Sequence, residues 1–199
     1  MKLYDRIPSG NCHKVRLLLN LLNVEYESII VDAMNKQHKS EEYLKMNPRG
    51  QFPVLLDGVN TIYDSHAILV YLAAKYANQS WYSQDPYEMG LIQEWLSFSS
   101  NEIANSLNIA RLKYKFNADV DWDLAQKKSI LVLKLVDQHL KTRDWLELDR
   151  PTIADLACYP YIALASEGKI DIQPFLNVYR WIQNVQNLPG YIGMDGMIQ

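Results

Sequence analysis

A proline stands at the mouth of a buried strand. In Asn47-Pro48-Arg49-Gly50-Gln51-Phe52-Pro53-Val54-Leu55-Leu56 the apolar run from Val54 reads as a strand, and Pro53 sits at its entrance. Proline cannot donate to a β-ladder and tolerates a cis bond before it, so a cis peptide is expected after Phe52. Such a turn splays the Phe52 N–H and C=O outward, unpaired, where another peptide can pair with them. Tyr63-Asp64-Ser65 follows shortly, and Ser65 opens a helical pattern with an acidic residue directly before it. A helix N-terminus carries free N–H groups and partial positive charge, which suits a carboxylate. Asp64 in turn suits an amine. A chain with these three features is equipped to hold a short peptide by its backbone and its amino-acid end.

The flanking sequence supplies a frame for that site. Lys2 to Tyr4 is a short strand, and Val15, Leu18, Leu19 and Leu22 then fall at the spacing of an amphipathic helix. Tyr26 to Val31 is rich in sheet-forming residues, and Ser40 to Lys45 is a short helix with Ser40 as its cap. Val54 to Leu56 and Thr61 to Tyr63 flank the hairpin signal Asp57-Gly58-Val59-Asn60. Ile68, Leu69, Leu72 and Tyr76 carry the next helix. The order βαβαββα is that of a thioredoxin-like α/β domain with a four-stranded mixed sheet, assigned here to residues 1–77. The polar, turn-rich stretch 78–86 is read as a linker, and 87–199 as an all-helical domain. Tyr87 to Lys115 forms one long helix or two, with Trp95 and Phe98 facing inward, and Leu124 to Leu140 is amphipathic. Thr152 and Asp155 form a capping box before an apolar run that contains Pro160, where a kink is expected. Phe175 to Val185 is the last helix.

Charge and composition remove several function classes. The 199-residue chain has a net charge of −3 and no basic stripe, which argues against nucleic acid as a main partner. Its apolar stretches are too short and interrupted to span a bilayer. The chain enters a strand at once, without a signal region. Its two cysteines, Cys12 and Cys158, lie in different halves and suggest no disulfide framework. His13 and His139 show no metal-ligand spacing, so no metal is expected. The expected compartment is the cytoplasm.

Three segments, in order, resemble the soluble glutathione S-transferases over essentially the whole chain. They are Ser9-Gly10-Asn11-Cys12-His13-Lys14-Val15 after the first strand, the Pro53 and Asp64-Ser65 pair of motifs, and Pro151-Thr152-Ile153-Ala154-Asp155-Leu156-Ala157. The resemblance implies a glutathione co-substrate, a serine-type active site and a homodimer. Position by position, Ser65 would hold the γ-glutamyl carboxylate, Asp64 the ammonium, and Phe52, beside Pro53, the cysteinyl backbone. Gln51, His38 and Lys39 would reach the glycyl end. His66 stands where many members carry arginine, which weakens any dimer-interface role for that position. The electrophile would lie between the domains, against Pro8, Asn11 and the end of the long helix. Asn105, Asn108, Arg111, Leu112 and Phe116 are candidates there at helical spacing, and their amides and arginine suggest a polar pocket.

The thiol chemistry centres on Ser9. A free thiol of pKa roughly 8.5 is only about 3% thiolate at neutral pH, and a downward shift of about two units needs about 2.7 kcal/mol. One hydroxyl donor and a helix N-terminus supply energies of that order. The Ser9 hydroxyl and the N–H groups of Asn11 and Cys12 are expected to converge on the sulfur, with Asn11 as reserve donor. Two alternatives stay open. Cys12 can form a mixed disulfide, as in a glutathione-dependent thiol transferase or peroxidase; separately, the chain can be a non-enzymatic binding protein of the same fold.

Overall fold

The computed structural model describes residues 1–198. Strand β1 (Lys2–Asp5) is followed by helix α1 (Gly10–Leu21), β2 (Glu27–Ile30), the short helix α2 (Glu41–Met46), β3 (Val54–Asp57), β4 (Asn60–Tyr63) and α3 (Ser65–Tyr76). The sheet order is β2-β1-β3-β4, with β1 parallel to β2 and antiparallel to β3. The βαβαββα reading and its mixed four-stranded sheet are what the structure contains. Alternation along the strands divides the core. Leu3 and Leu55 face the main core, whereas Tyr4, Val54 and Leu56 meet Tyr43 of α2 on the other side. The hairpin between β3 and β4 closes through Asp57 and Asn60, with Gly58 at φ +61°.

The remaining elements are helical. They are α4 (Pro86–Phe98), a π-helical stretch (Ser99–Asn108), α5 (Ile109–Phe116), α6 (Trp122–His139), α7 (Ile153–Ala163) and α8 (Leu176–Gln186). Residues 86 to 116 therefore form one continuous helical rod whose middle is wound wide. The sequence left one helix or two open there and gave no hint of the wide turns. Serine hydroxyls that bond back to the rod's own carbonyls accompany the change: Ser100 Oγ donates to Leu96 O at 3.0 Å and Ser106 Oγ to Glu102 O at 2.5 Å. Trp95 is buried and meets Phe98 edge-on, so both face inward as expected.

Helix α7 is buried along its whole length and packs against α1, α3, α4 and the π-helical stretch. Its capping box is present in full. Ala154 N–H donates to Thr152 Oγ1, and Thr152 N–H donates to Asp155 Oδ2 at 2.8 Å. Asp155 Oδ1 also accepts from Leu146 N–H and from the Trp181 indole, each at 2.9 Å, so one carboxylate ties α7 to the preceding loop and to α8. Pro160 lies inside α7, whose helical assignment runs on to Ala163.

Candidate active site

Three local devices shape the loop between β1 and α1. Arg16 of α1 pairs with buried Asp5 at the end of β1, and its Nη2 donates to Ile7 O at 3.0 Å, pinning the loop. Ser9 caps α1, its Oγ accepting the Cys12 N–H at 3.2 Å. Gly10 must be glycine, because a Cβ there would lie 2.8 Å from the ring of Tyr161, which packs beneath the helix start. Ser9 and Asn11 are thereby held on the wall of a cavity of about 600 Å³.

The opposite wall comes from the loop before β3. The Phe52–Pro53 peptide is cis, as expected from the sequence. The Gln51 carbonyl is fixed by the Tyr43 hydroxyl at 3.0 Å and by Asn47 Nδ2 at 2.7 Å. Among the described residues the Phe52 N–H and C=O have no backbone partner. Gly50, at φ +56°, lets this loop close on Lys39, whose Nζ donates to the Gly50 carbonyl at 2.8 Å. His38 packs edge-on against Phe52, its ring centroid 5.7 Å away. Burial, then the Lys39 and Arg6 charges, hold the His38 imidazole below its ordinary pKa.

Asp64 and Ser65 form the third side. Asp64 caps α3 by accepting His66 N–H at 2.9 Å, and its other oxygen lies 3.5 Å from Arg49 Nη1. It adopts φ +76°, a left-handed backbone uncommon for a non-glycine residue. Buried Ser65 heads the helix, and its hydroxyl has no hydrogen-bond partner among the described residues. Below this corner lies Lys14, fully enclosed. Its Nζ donates to His66 Nε2 at 3.0 Å and to Ser99 Oγ at 3.2 Å, and Ser99 Oγ donates onward to Ala157 O at 2.6 Å. Because Lys14 donates to Nε2, the His66 proton sits on Nδ1 and is given to Ser100 Oγ at 2.8 Å. Burial, then the Lys14 charge, lowers the His66 pKa, and burial lowers that of Lys14.

The helical rod closes the remaining side of the cavity. Asn108, Arg111, Leu112 and Phe116 line it with Pro8. Arg111 is 2% exposed; its Nε donates to Glu167 at 2.6 Å and its Nη1 to the Pro8 carbonyl at 2.9 Å.

Two candidates are not brought to the cavity, and each for a physical reason. Asn105 is exposed and folds back on Asn101, donating to its carbonyl at 2.9 Å. Helical spacing had placed it with Asn108 and Leu112. The wide turns of the π-helical stretch shift the phase, so Ala104 lines the cavity in its place. Cys12 is fully buried on the inner side of α1 and is absent from the cavity wall. Burial, reinforced by Asp5, pushes its thiol up to about 12. The expected convergence of N–H groups also changes, because the Cys12 N–H is taken by Ser9. The remaining candidates, His38, Lys39, Gln51, Phe52, Pro53, Asp64 and Ser65, share the cavity with Ser9 and Asn11.

Sequence reasoning missed Arg6, Lys14, Arg49 and Tyr161 on the same wall. Arg49 lay inside the motif and Arg6 directly after the first strand, so both were within reach. Lys14 interrupts an apolar stripe, which was a usable signal; Tyr161 gave none. Among the described residues no three His, Cys, Asp or Glu side chains are grouped to hold a metal ion, and no helix is long and apolar enough to cross a membrane.

Comparison with known proteins agrees with this geometry. Residues 1–74 match the model for the glutathione S-transferase N-terminal domain, and 113–189 that for the C-terminal domain. The chain is 31% identical to glutathione S-transferase 2 of Schizosaccharomyces pombe, over 94% of this chain and 91% of that one. A glutathione S-transferase structure from Pseudomonas fluorescens superposes with a TM-score of 0.91 at 28% identity, covering 98% of each chain. Glutathione transferase E6 of Drosophila melanogaster gives 0.86 at 30% identity, covering 94% of this chain and 87% of that one. The chain belongs to the glutathione S-transferase family, a family of transferase enzymes with glutathione as co-substrate.

Proposed function

We propose that this chain conjugates the thiolate of glutathione to small electrophiles, with Ser9 as the group that acts on the sulfur. The observation that carries this is the capping bond. Ser9 Oγ accepts the Cys12 N–H with a lone pair, which leaves its own O–H proton free to be donated on the cavity side. A donor to the charged form lowers the thiol pKa. In this reading Asp64 meets the ligand ammonium and Ser65 the γ-glutamyl carboxylate, while Phe52 pairs with the cysteinyl backbone. Gln51, His38 and Lys39 stand at the glycyl end, and Asn11 is a second donor.

The thiol-transferase reading needs Cys12 at the surface of the cavity, and its burial weighs against that. A purely scaffolding role has no use for the open Ser9–Asp64–Ser65 arrangement. We further propose division at 1–77 and 87–199 around a linker, a homodimer, a detoxifying role and a cytoplasmic location, all by analogy with the family. Calorimetric binding of glutathione, followed by a panel of electrophiles with and without it, tests the assignment. Binding with glutathione-dependent consumption of an electrophile is expected. Binding without turnover of any electrophile would return the chain to the scaffolding class.

A further inference from the structure

Resting on the transferase reading, we propose that the preferred second substrate carries its own carboxylate, bound between Arg6 and Arg111. Both guanidiniums face the ring of Phe116, with the Arg6 Cζ 5.1 Å and the Arg111 Cζ 5.3 Å from its centroid. A single aromatic ring cannot answer two full positive charges, because contacts of this kind are weak. Arg6 is half-buried and has no hydrogen bond or ion pair from its guanidinium among the described residues; its other contact is the Phe52 ring at 5.4 Å. Arg111 is almost wholly buried, and its Nη2 has no hydrogen-bond partner among the described residues. Buried N–H groups are rarely left so.

The charges around this end do not cancel. Among the described residues Glu167 is the one carboxylate paired with Arg111, and it also holds Lys115 Nζ at 2.7 Å. Two cations therefore share one anion, and Arg6 stands beside them without any. Asp64, the one carboxylate on the cavity wall among the described residues, caps α3 beside Arg49 at the amino-acid end. The neutral groups nearby, Asn11 and Asn108, carry amides able to donate. A planar carboxylate matches guanidinium geometry and supplies acceptors that an uncharged electrophile lacks. In an enclosed site the same charges discriminate against a neutral analogue, because it leaves the donors desolvated and unpaired.

A matched pair of probes tests this: 4-(chloromethyl)benzoate and 4-(chloromethyl)benzamide. In both, the glutathione sulfur forms a bond to the benzylic carbon while the carbon–chlorine bond breaks. Chloride leaves with the electron pair, and the thiol proton has already passed to solvent. Each kcat/KM is divided by the uncatalysed rate with glutathione, which removes intrinsic reactivity. The carboxylate is expected to be favoured by about tenfold or more. That ratio should fall severalfold in Arg6→Gln, a half-buried position without hydrogen bonds to lose. Arg111→Lys keeps the charge but not the fork, so it should lower the ratio without abolishing it. A ratio near one, with steady turnover of the amide, overturns the inference and leaves the transferase reading standing. A high ratio that neither variant lowers overturns the assignment to these two arginines. Glutathione binding without turnover of either probe overturns both.

Discussion

At the scale of single residues, the serine proposed to act on sulfur is also a helix cap. Ser9→Ala therefore removes two things at once. Loss of the cap should lower stability by about 0.5–2 kcal/mol, read from the denaturant midpoint. Turnover with a model electrophile should drop while glutathione affinity stays close to normal, since most binding contacts lie elsewhere. The pH–rate profile should move alkaline, because removing a donor to the thiolate raises its pKa. Cys12→Ala should keep conjugation. Loss of activity in Cys12→Ala with a silent Ser9→Ala would reverse the assignment. Asp64→Asn should weaken glutathione binding by roughly 1–3 kcal/mol, and far less for an analogue without the α-amino group. Equal losses by calorimetry would mean that Asp64 acts only by capping α3. The sequence made Ser9, Asp64 and Ser65 legible because each belongs to a local motif. It misjudged Cys12 because the side of α1 a residue faces depends on what packs there. Tyr161 was hidden for the same reason, lying far along the chain from the residue it supports.

At the scale of elements, α7 is the part most exposed to a single change. Thr152→Ala should destabilise the protein by about 0.5–2 kcal/mol and leave glutathione affinity, measured on folded protein, unaltered. Asp155→Ala should cost more, because it also strands the buried Leu146 N–H and the Trp181 indole N–H. Each unmet donor is worth about 1–3 kcal/mol. If both variants unfold at the same denaturant concentration, the reach of Asp155 to α8 is energetically idle. This capping box was readable because its partners are three residues apart, whereas the reach to Leu146 and Trp181 was not. The long rod shows the opposite case. Its apolar period was clear enough to predict a helix, but a stretch wound at i to i+5 has no sequence signature as sharp as a cap, and Asn105 was misplaced in consequence.

At the scale of the whole molecule, buried His13 and half-buried His66 are expected to set the acid limit. His13, enclosed beside Ile192 O, is pushed down to about 4 by burial, then by the Arg16 charge. The His66 pKa is lowered as well. In the unfolded chain both titrate near 6.5, so below that pH the unfolded state takes up protons the native state refuses. Stability must then fall as pH drops from about 6.5 toward 4. Asp155 acts the other way, since burial raises its carboxyl to about 6 and the native state gains a proton there. With the two more deeply enclosed histidines against Asp155, and the more exposed His38 left out, the net loss is roughly 1.4 kcal/mol per pH unit, visible as a shrinking urea midpoint between pH 6.5 and 5. His13→Gln, which retains a donor for Ile192 O, should flatten the slope. A midpoint that rises on acidification would show that Asp155 outweighs both histidines.

Lys14 gives that enclosure a consequence for modularity. Its ammonium belongs to α1, yet the atoms that satisfy it come from α3 and from the helical rod, and it lies 5.4 Å from the Tyr161 ring on α7. Cutting the chain near residue 77 would leave a charged group with one of its two acceptors and no roof. The two halves are thus not interchangeable parts. A hybrid that joins the first half of this chain to another member's helices needs a hydroxyl where Ser99 stands and an aromatic ring where Tyr161 stands. Without them, the grafted cavity would have a cation with only His66 as its partner for a floor.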